Sequence, residues 1–347
     1  MEVREHLSQH ERAEQLPLVT ESATVTLAEA MDRNRTEEVE DAIREQLEAV
    51  DGANWLSEIH DGAEYQWEEL ADRLDTVDIS DYRRDDISTL VDRFERAYPS
   101  LLRVRVRVDE KLNFAPGQYV TLQFHDTPRA YSLSDSPNED ELGFGIRRVP
   151  GGRLTSDLFQ ELEVDDQVVV RGPNGEMTLD DPSNRDMVFL ATGTGAAPFK
   201  SMIDYTFEED RDTVDGEQRD VWLFLGCGWE DDIPHREHFE DLAAERENFH
   251  FVPTLTREPL LTDWDGETDY VQQVFIKHLG DELDETELPN GFADMATEQP
   301  KTDIDERIHP ENTELYACGV TAMVTTLVRA AKAVGVPEDS MQYEGFG

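Results

Sequence analysis

From residue 187 onward the chain repeats one unit: a short apolar run, a turn, and a segment of helical period. "MVFLA" (187–191) enters the turn "TGTG" and then "AAPFKSMIDYTF". "DVWLFLG" (220–226) precedes another helical stretch, "FHFVPTL" (249–255) follows it, and "ELYACG" (314–319) leads into "VTAMVTTLVRAAKAVG". Apolar strands alternating with helices predict a parallel, doubly wound sheet. Between 99 and 173 the period is two instead. "LLRVRVRV" (101–108) puts Val104, Val106 and Val108 on one face, and strands follow at 118–124, 129–134, 142–149 and 166–173. Pro116-Gly117 and Gly172-Pro173 mark the junctions, as in a small antiparallel barrel.

The fold class that follows is mixed α+β and α/β, with a six-stranded antiparallel barrel at 99–182 before the doubly wound domain at 183–347. Residues 281–313, acidic and broken by proline, read as a surface excursion. Upstream, 36–98 is helical: Val39, Ile43, Leu47 and Val50 share a face behind Thr36 as N-cap. A barrel that began at 101 would leave one strand edge unpaired. "SATVTLAEA" (22–30) is the one convincing upstream candidate, so 22–28 is expected as the first strand and 36–98 as an insertion after it. The alternative is an independent helical domain within the acidic N-terminal segment 1–98.

With 347 residues there is room for two or three cores. The absence of an apolar run of about 18 residues argues against a membrane span, and the charged N-terminus does not read as a secretory signal. Two cysteines, Cys227 and Cys318, are too few for a chain-held iron–sulfur cluster or a Cys-rich zinc site; no metal is expected, and a reducing cytoplasm fits. The balance of 31 basic against 79 acidic residues, net −48, argues against nucleic acid as a partner. Recurrent apolar strands oppose a disordered acidic chain. Adaptation to molar salt, where the Debye length falls to about 3 Å, is the better reading. Residues 101–150 stand apart, with seven acidic and seven basic groups. That neutral island suggests a site for an anion.

Within the island lies "RAYSLS". Alternation puts Arg129 and Tyr131 on one face. A fixed cation beside an aromatic ring suits a flavin's diphosphate and ring plane, with the Ser132 hydroxyl in reach of a ring nitrogen; the plain alternative is a barrel-edge Arg beside a packing Tyr. In "GGRLTSDLF", Gly151 and Gly152 allow close backbone approach, and Thr155-Ser156-Asp157 reads as the cap of a short helix suited to a phosphate. Gly193-Thr194-Gly195, with small residues and Pro198 following, would let a pyrophosphate reach a helix N-terminus, although the ordinary G-x-G-x-x-G fingerprint is absent.

R-A-Y-S, G-G-R-L-T-S-D-L, R-G-P-N-G, G-T-G-A-A-P-F, Y-A-C-G and a terminal Y-E-G-F occur in this order. The set resembles the ferredoxin–NADP reductase superfamily of plant-type architecture over roughly residues 100–347. The resemblance implies that Arg129 takes the FAD pyrophosphate, Tyr131 stacks on the isoalloxazine, and Ser132 sits near its N5. It implies that the Gly152–Thr155 turn closes over the diphosphate, and that Gly193, Thr194, Gly195 and Pro198 hold the pyrophosphate of NADP, with NAD as the alternative coenzyme. Cys318 would lie beside the nicotinamide C4, and Glu344 would be the acidic group near the flavin edge. Thr256 and Arg257 would contact an adenosine 2′-phosphate, with Tyr270 stacking on the adenine. Two departures stand out: Thr268 occupies the place of the family's lysine, and the chain ends Phe346-Gly347 without a terminal Tyr. The implied activity is that of an FAD-dependent NAD(P)H reductase serving ferredoxin or another small redox carrier. The alternatives are an oxygenase reductase component, an NAD(P)H:flavin reductase, and a non-catalytic regulatory subunit. Cys227 has no matching role and reads as structural.

Overall fold

The computed structural model describes residues 16–280, 288 and 292–346, apart from the side chain of Phe346. Two units form. The larger takes in the chain up to Asp32, Leu101–Thr256 and everything from Asp265; the smaller comprises Arg33–Ser100 and Arg257–Trp264. Among the described residues no helix is long and apolar enough to cross a membrane.

In the smaller unit four helices follow one another: α1 (Thr36–Glu48), α2 (Trp55–Ile59), α3 (Trp67–Thr76) and α4 (Asp81–Phe94). Val39, Ile43 and Leu47 of α1 are buried at i, i+4 and i+8, and α1 packs on α4, where Ile87 and Leu90 are buried. Burial of each such side chain contributes roughly 1.5–3 kcal/mol. Val50, expected on the same face, lies past the helix end. Thr36 is not the N-cap either. Arg35 holds that position, and Thr36 donates both its N–H and its hydroxyl to Asn34 Oδ1. Asn34 gives the turn a nearer acceptor, so the threonine opens the helix proper. The Arg35 guanidinium is fully buried and donates two bonds to buried Glu258, at 2.8 and 2.9 Å. This bidentate pair ties Arg257–Trp264 to the helices.

The larger unit contains the barrel strands β1 (Val19–Ala30), β2 (Leu101–Val108), β3 (Tyr119–Phe124), β4 (Thr127–Ser132), β5 (Leu142–Arg147) and β6 (Gln167–Asn174). Their order is β4-β3-β6-β1-β2-β5, antiparallel throughout. β1 lies between β6 and β2, with Ala23 opposite both Val168 and Val108. The strands turn Val25, Val104, Val106, Leu122, Phe144 and Val170 into one core. The other face of β2 carries Arg103, Arg105 and Arg107, which approach Glu29, Asp135 and Glu141 at 3.7, 2.8 and 2.6 Å. Part of the neutral island is therefore internal pairing across strands, rather than positive charge reserved for a ligand. Helix α5 (Arg153–Glu161) crosses between β5 and β6 and packs on β4.

After the barrel comes β7 (Asp186–Thr192), then α6 (Ala196–Glu208), a two-residue-strand hairpin β8–β9 (Thr213–Val214, Glu217–Gln218), β10 (Val221–Cys227), α7 (Arg236–Glu245), β11 (Phe249–Leu255), α8 (Val271–Lys277), β12 (Thr313–Val320), α9 (Thr321–Ala333) and β13 (Met341–Phe346). Five parallel strands lie in the order β11-β10-β7-β12-β13. β10 is buried along its whole length, as a strand covered on both faces must be. The order reverses between β7 and β12, which opens a crevice at their carboxyl ends. The excursion is not a surface loop throughout: Phe292 and Ile308 are buried in the same core as β7 and β12, which two apolar anchors in an acidic stretch explain. Residues 281–287 and 289–291 lie outside the described residues.

Candidate active site

A cleft of about 570 Å³ occupies that crevice, lined by Thr192 and Gly193, by Gly226, Cys227 and Thr256, by Asp269 and Tyr270, and by Val320 and Met323. The strand-to-helix turn at Gly193 makes its floor. Gly193 has φ +51°, and the position of a Cβ there is open space, so the backbone is bare toward the cleft. Gly195 is different: a Cβ would stand 2.7 Å from the Cys318 carbonyl oxygen. Its smallness closes α6 onto β12. Thr194, Gly195 and Pro198 do not line the cleft, whereas Gly193, Thr256 and Tyr270 do. Arg257 is exposed and opens the segment grouped with the helices.

Arg147, at the end of β5, also lines the cleft and donates to Asp232 Oδ1 at 2.9 Å and to the Asp232 carbonyl at 3.2 Å. This links the barrel to the parallel sheet at the cleft wall. Cys227 lines the cleft too. Burial pushes its thiol pKa up to about 12, with Asp232 adding to the shift. It is an inert neutral group whose Sγ lies 3.5 Å from the Asp232 carbonyl. Sequence reading missed Arg147, Asp232, Val320 and Met323 as lining residues. For the last two a signal existed, because they straddle a strand–helix junction at the carboxyl edge of a parallel sheet.

The second region is built on β4 and the turn into α5. Arg129 is exposed, and its Nη1 donates to the Pro128 carbonyl at 2.7 Å. Tyr131 is half-buried against the barrel core, and burial pushes its hydroxyl pKa up to about 12, with Arg129 pulling the other way. Helix α5 begins at Arg153, two residues before the expected cap at Thr155, and Gly152 is its N-cap. Thr155 lies inside the first turn. Its hydroxyl accepts from the Val149 N–H at 3.2 Å and approaches the Val149 and Gly152 carbonyls, so it braces the turn instead of capping it. Gly151, at φ +69°, has nothing within 4 Å of a would-be Cβ.

Whether this corner fits an FAD diphosphate is decided by its charges. Among the described residues Arg129, Arg148 and Arg153 have no carboxylate partner, and Arg148 lies only over the Phe159 ring, 5.7 Å away. In a chain with 79 acidic residues, two such arginines flanking one turn, with a third on β4, keep a local positive field for a dianion. The corner fits the group. The cleft fits a dinucleotide by size and by its bare glycine turn.

Cys318 and Glu344 are register partners on the parallel pair β12–β13. Cys318 is completely buried, and burial with the neighbouring Glu344 carboxylate raises its pKa well above the ordinary thiol value. Burial raises the Glu344 carboxyl too. Ser132, half-buried at the end of β4, makes no side-chain hydrogen bond to either one. The side chain of Phe346 lies outside the described residues.

Residues 98–179 match the oxidoreductase FAD-binding domain, and residues 189–329 match the oxidoreductase NAD-binding domain. The chain belongs to the ferredoxin–NADP(+) reductase superfamily. Among curated proteins it is 32% identical over 203 residues to the phenol 2-monooxygenase reductase component DmpP of Pseudomonas sp. (strain CF600), covering 58% of this chain and 54% of that protein. It is 27% identical over 245 residues to the ferredoxin–NAD(P)(+) reductase component of a Pseudomonas putida naphthalene 1,2-dioxygenase system, covering 70% of this chain and 64% of that one. The chain thus spans about half the length of the first curated relatives it matches. The fold is shared with the Amycolatopsis cytochrome P450 reductase GcoB, at TM-score 0.62 and 22% identity over 96% of this chain and 71% of that one. It is shared also with a ferredoxin NADP+ reductase from Neisseria gonorrhoeae, at TM-score 0.52 and 20% identity over 71% of this chain and 93% of that one.

Proposed function

We propose that this member of the superfamily is an FAD-dependent NAD(P)H reductase that delivers electrons to an external small redox carrier, a ferredoxin first among them. The observation that carries the reading is the pairing of an unneutralised arginine corner on the barrel with an open glycine-floored cleft at the switch point of the sheet. Arg129 and the Gly151–Gly152 turn, braced by Thr155, hold the flavin diphosphate. Tyr131 offers its ring face, and Ser132 its hydroxyl, to the flavin ring. Gly193, Thr194, Gly195 and Pro198 form the turn and first helical residues that receive the coenzyme pyrophosphate. Thr256, Arg257 and Tyr270 take its adenosine end, and Phe346 borders the flavin. Together the two bound groups supply hydride transfer from nicotinamide to flavin, followed by release of single electrons. Cys318 keeps its proton and places a compact neutral group beside the reacting carbon. Glu344, its carboxyl pKa raised by burial, is the acidic group near the flavin edge.

A second reading, a reductase component working with an oxygenase, is favoured by the monooxygenase and dioxygenase reductases among the relatives. Reduced protein titrated with a ferredoxin, with ferricyanide and with free flavin separates the acceptors. A colourless protein that takes up no FAD ends both readings.

Two features complete the proposal. The net charge of −48 supports a cytoplasmic life in molar salt, so the melting temperature rises steeply with KCl; a flat profile removes this reading. The antiparallel pairing of Val25 with Val106 supports residues 36–98 as an insertion between the first two barrel strands. Replacing 36–98 by a short turn then preserves ferricyanide reduction, whereas deleting 1–98 abolishes flavin binding.

A further inference from the structure

The loop that leaves β4 runs along helix α6. Ser134 donates its N–H to the Gly143 carbonyl at 2.9 Å, which fixes the loop to β5. Asp135, the next residue, is buried, and its polar atoms reach two further elements. Its Oδ2 lies 2.8 Å from Arg105 Nε on β2. Its Oδ1 accepts from Lys200 Nζ at 3.3 Å, and its carbonyl accepts from the Ser201 hydroxyl at 2.8 Å, both on α6. Farther along, the Ser136 hydroxyl and the Asn138 amide donate to Glu208, the last residue of α6. Gly143 makes room for the Asp135 carboxylate. It pairs with Arg105 across β2 and β5, and a Cβ there would collide with the Asp135 carboxylate oxygens.

The two sides of this contact carry the two halves of the proposed chemistry. Asp135 lies three residues after Ser132 on the barrel, and Lys200 lies five residues after Gly195, where the glycine turn passes into α6. Lys200 is buried as well and is held from behind. It donates to Asp204 at 2.7 Å, and His238 of α7 meets Asp204 at 2.7 Å. Two cations, Arg105 and Lys200, thus meet two carboxylates, Asp135 and Asp204. A buried ion pair adds little net stability over apolar side chains of the same volume. Its directional bonds define a geometry instead. Arg147 and Asp232 already join barrel and sheet at the cleft wall. One contact fixes a point; a second, on α6, fixes an angle.

We propose that Asp135 is a positioning residue for hydride transfer: through Lys200 and Ser201 it sets the separation between the glycine turn of the sheet and strand β4 of the barrel. This deepens the proposed function and rests on it. Asp135 does not line the coenzyme cleft and acts through α6.

The test compares FAD-loaded wild type with Asp135→Asn, Lys200→Met, Ser201→Ala and the Asp135→Asn/Lys200→Met double variant. Calorimetry gives the affinity for oxidised coenzyme, and stopped flow gives the rate of flavin reduction by NADPH and NADH. A third reading needs no turnover: the change that saturating oxidised coenzyme makes in the visible absorption of the flavin. Asp135→Asn slows reduction at saturating coenzyme by about 10-fold, as a donor misplaced by about half an ångström would. It also shrinks the absorption change, while coenzyme affinity holds. Lys200→Met does the same, and the double variant is no slower than the slower single, because both remove one contact. Ser201→Ala moves both flavin readings the same way by less. A lowered melting temperature with both flavin readings unchanged makes Asp135 merely structural and overturns the proposal. So does a loss of coenzyme affinity at an unchanged saturated rate, or a double variant in which the two losses multiply. Should Asp135→Asn not fold, Lys200→Met and Ser201→Ala decide, and wild-type reduction rates in both overturn it. A wild type whose FAD neither coenzyme reduces removes the reductase reading, and the proposal goes with it.

Discussion

On the proposed function, the arginine corner and the glycine-floored cleft meet the same problem, an anionic ligand in an acidic protein, by opposite means. Among the described residues the corner keeps three arginines free of carboxylates and sets two of them, Arg148 and Arg153, around a braced turn. In the cleft Arg147 is bonded to Asp232 and Lys277 to Asp269, and the floor is bare backbone at Gly193. Fixed charges grip a ligand that stays, while backbone and shape suit one that must leave after each turnover. On the proposed function, that difference would separate a resident group from an exchanging one by electrostatics.

The sharpest way to break this contrast is at the corner. Arg129→Ala should weaken FAD by roughly 10–100-fold, the range of a lost charge-assisted bond, with coenzyme-analogue affinity unchanged; apoprotein titration followed by flavin fluorescence measures it. If FAD affinity holds, the corner is not the phosphate site. Next in size, Cys318→Ser should slow flavin reduction by about 10-fold while leaving coenzyme affinity alone, because a small displacement of the donor costs rate and not binding. Stopped-flow reduction at the wild-type rate would remove Cys318 from the reaction.

Arg257→Ala should erase part of any NADPH preference and leave NADH kinetics as they were, with a change of only a few-fold at an exposed residue. A mutant with its full preference intact moves the phosphate contact away from Arg257. The smallest effect concerns Glu344. Burial raises its pKa in the folded state above the ordinary 4.5. The protonated form is thus favoured by folding: the stabilisation is complete below 4.5 and is lost as pH rises through the folded value. Glu344→Gln should match wild type in acid and melt slightly higher near neutrality. A melting difference independent of pH contradicts that account.

Much of this architecture is written in local patterns. The change from period two to strand–turn–helix marks where barrel gives way to parallel sheet, and each apolar run that feeds a glycine turn points at the cleft. What the pattern hides depends on pairings across the chain. β13 has the mixed sequence "MQYEGF" and becomes a strand only by pairing with β12. Phe292 and Ile308 are two apolar residues in an acidic stretch, too few to announce a core. The α5 cap moved because Gly152 and the Thr155 bond to Val149 outcompete a Thr-Ser-Asp cap. Arg147 reads as one more barrel arginine until Asp232, 85 residues away, is placed opposite it.

The Arg35–Glu258 pair has a consequence for how the protein is made. Its two members are separated by 223 positions. At bacterial-like rates of 5–20 residues per second, Arg35 leaves the ribosome roughly 10–45 s before its carboxylate is synthesised. Until then Glu38, whose Oε2 lies 2.8 Å from Arg35 Nε, is the carboxylate at hand, and the two guanidinium N–H groups that later meet Glu258 keep their bonds to water. The N-terminal helices are thus among the first segments translated, yet their bidentate contact to Glu258 waits for a stretch synthesised 223 positions later.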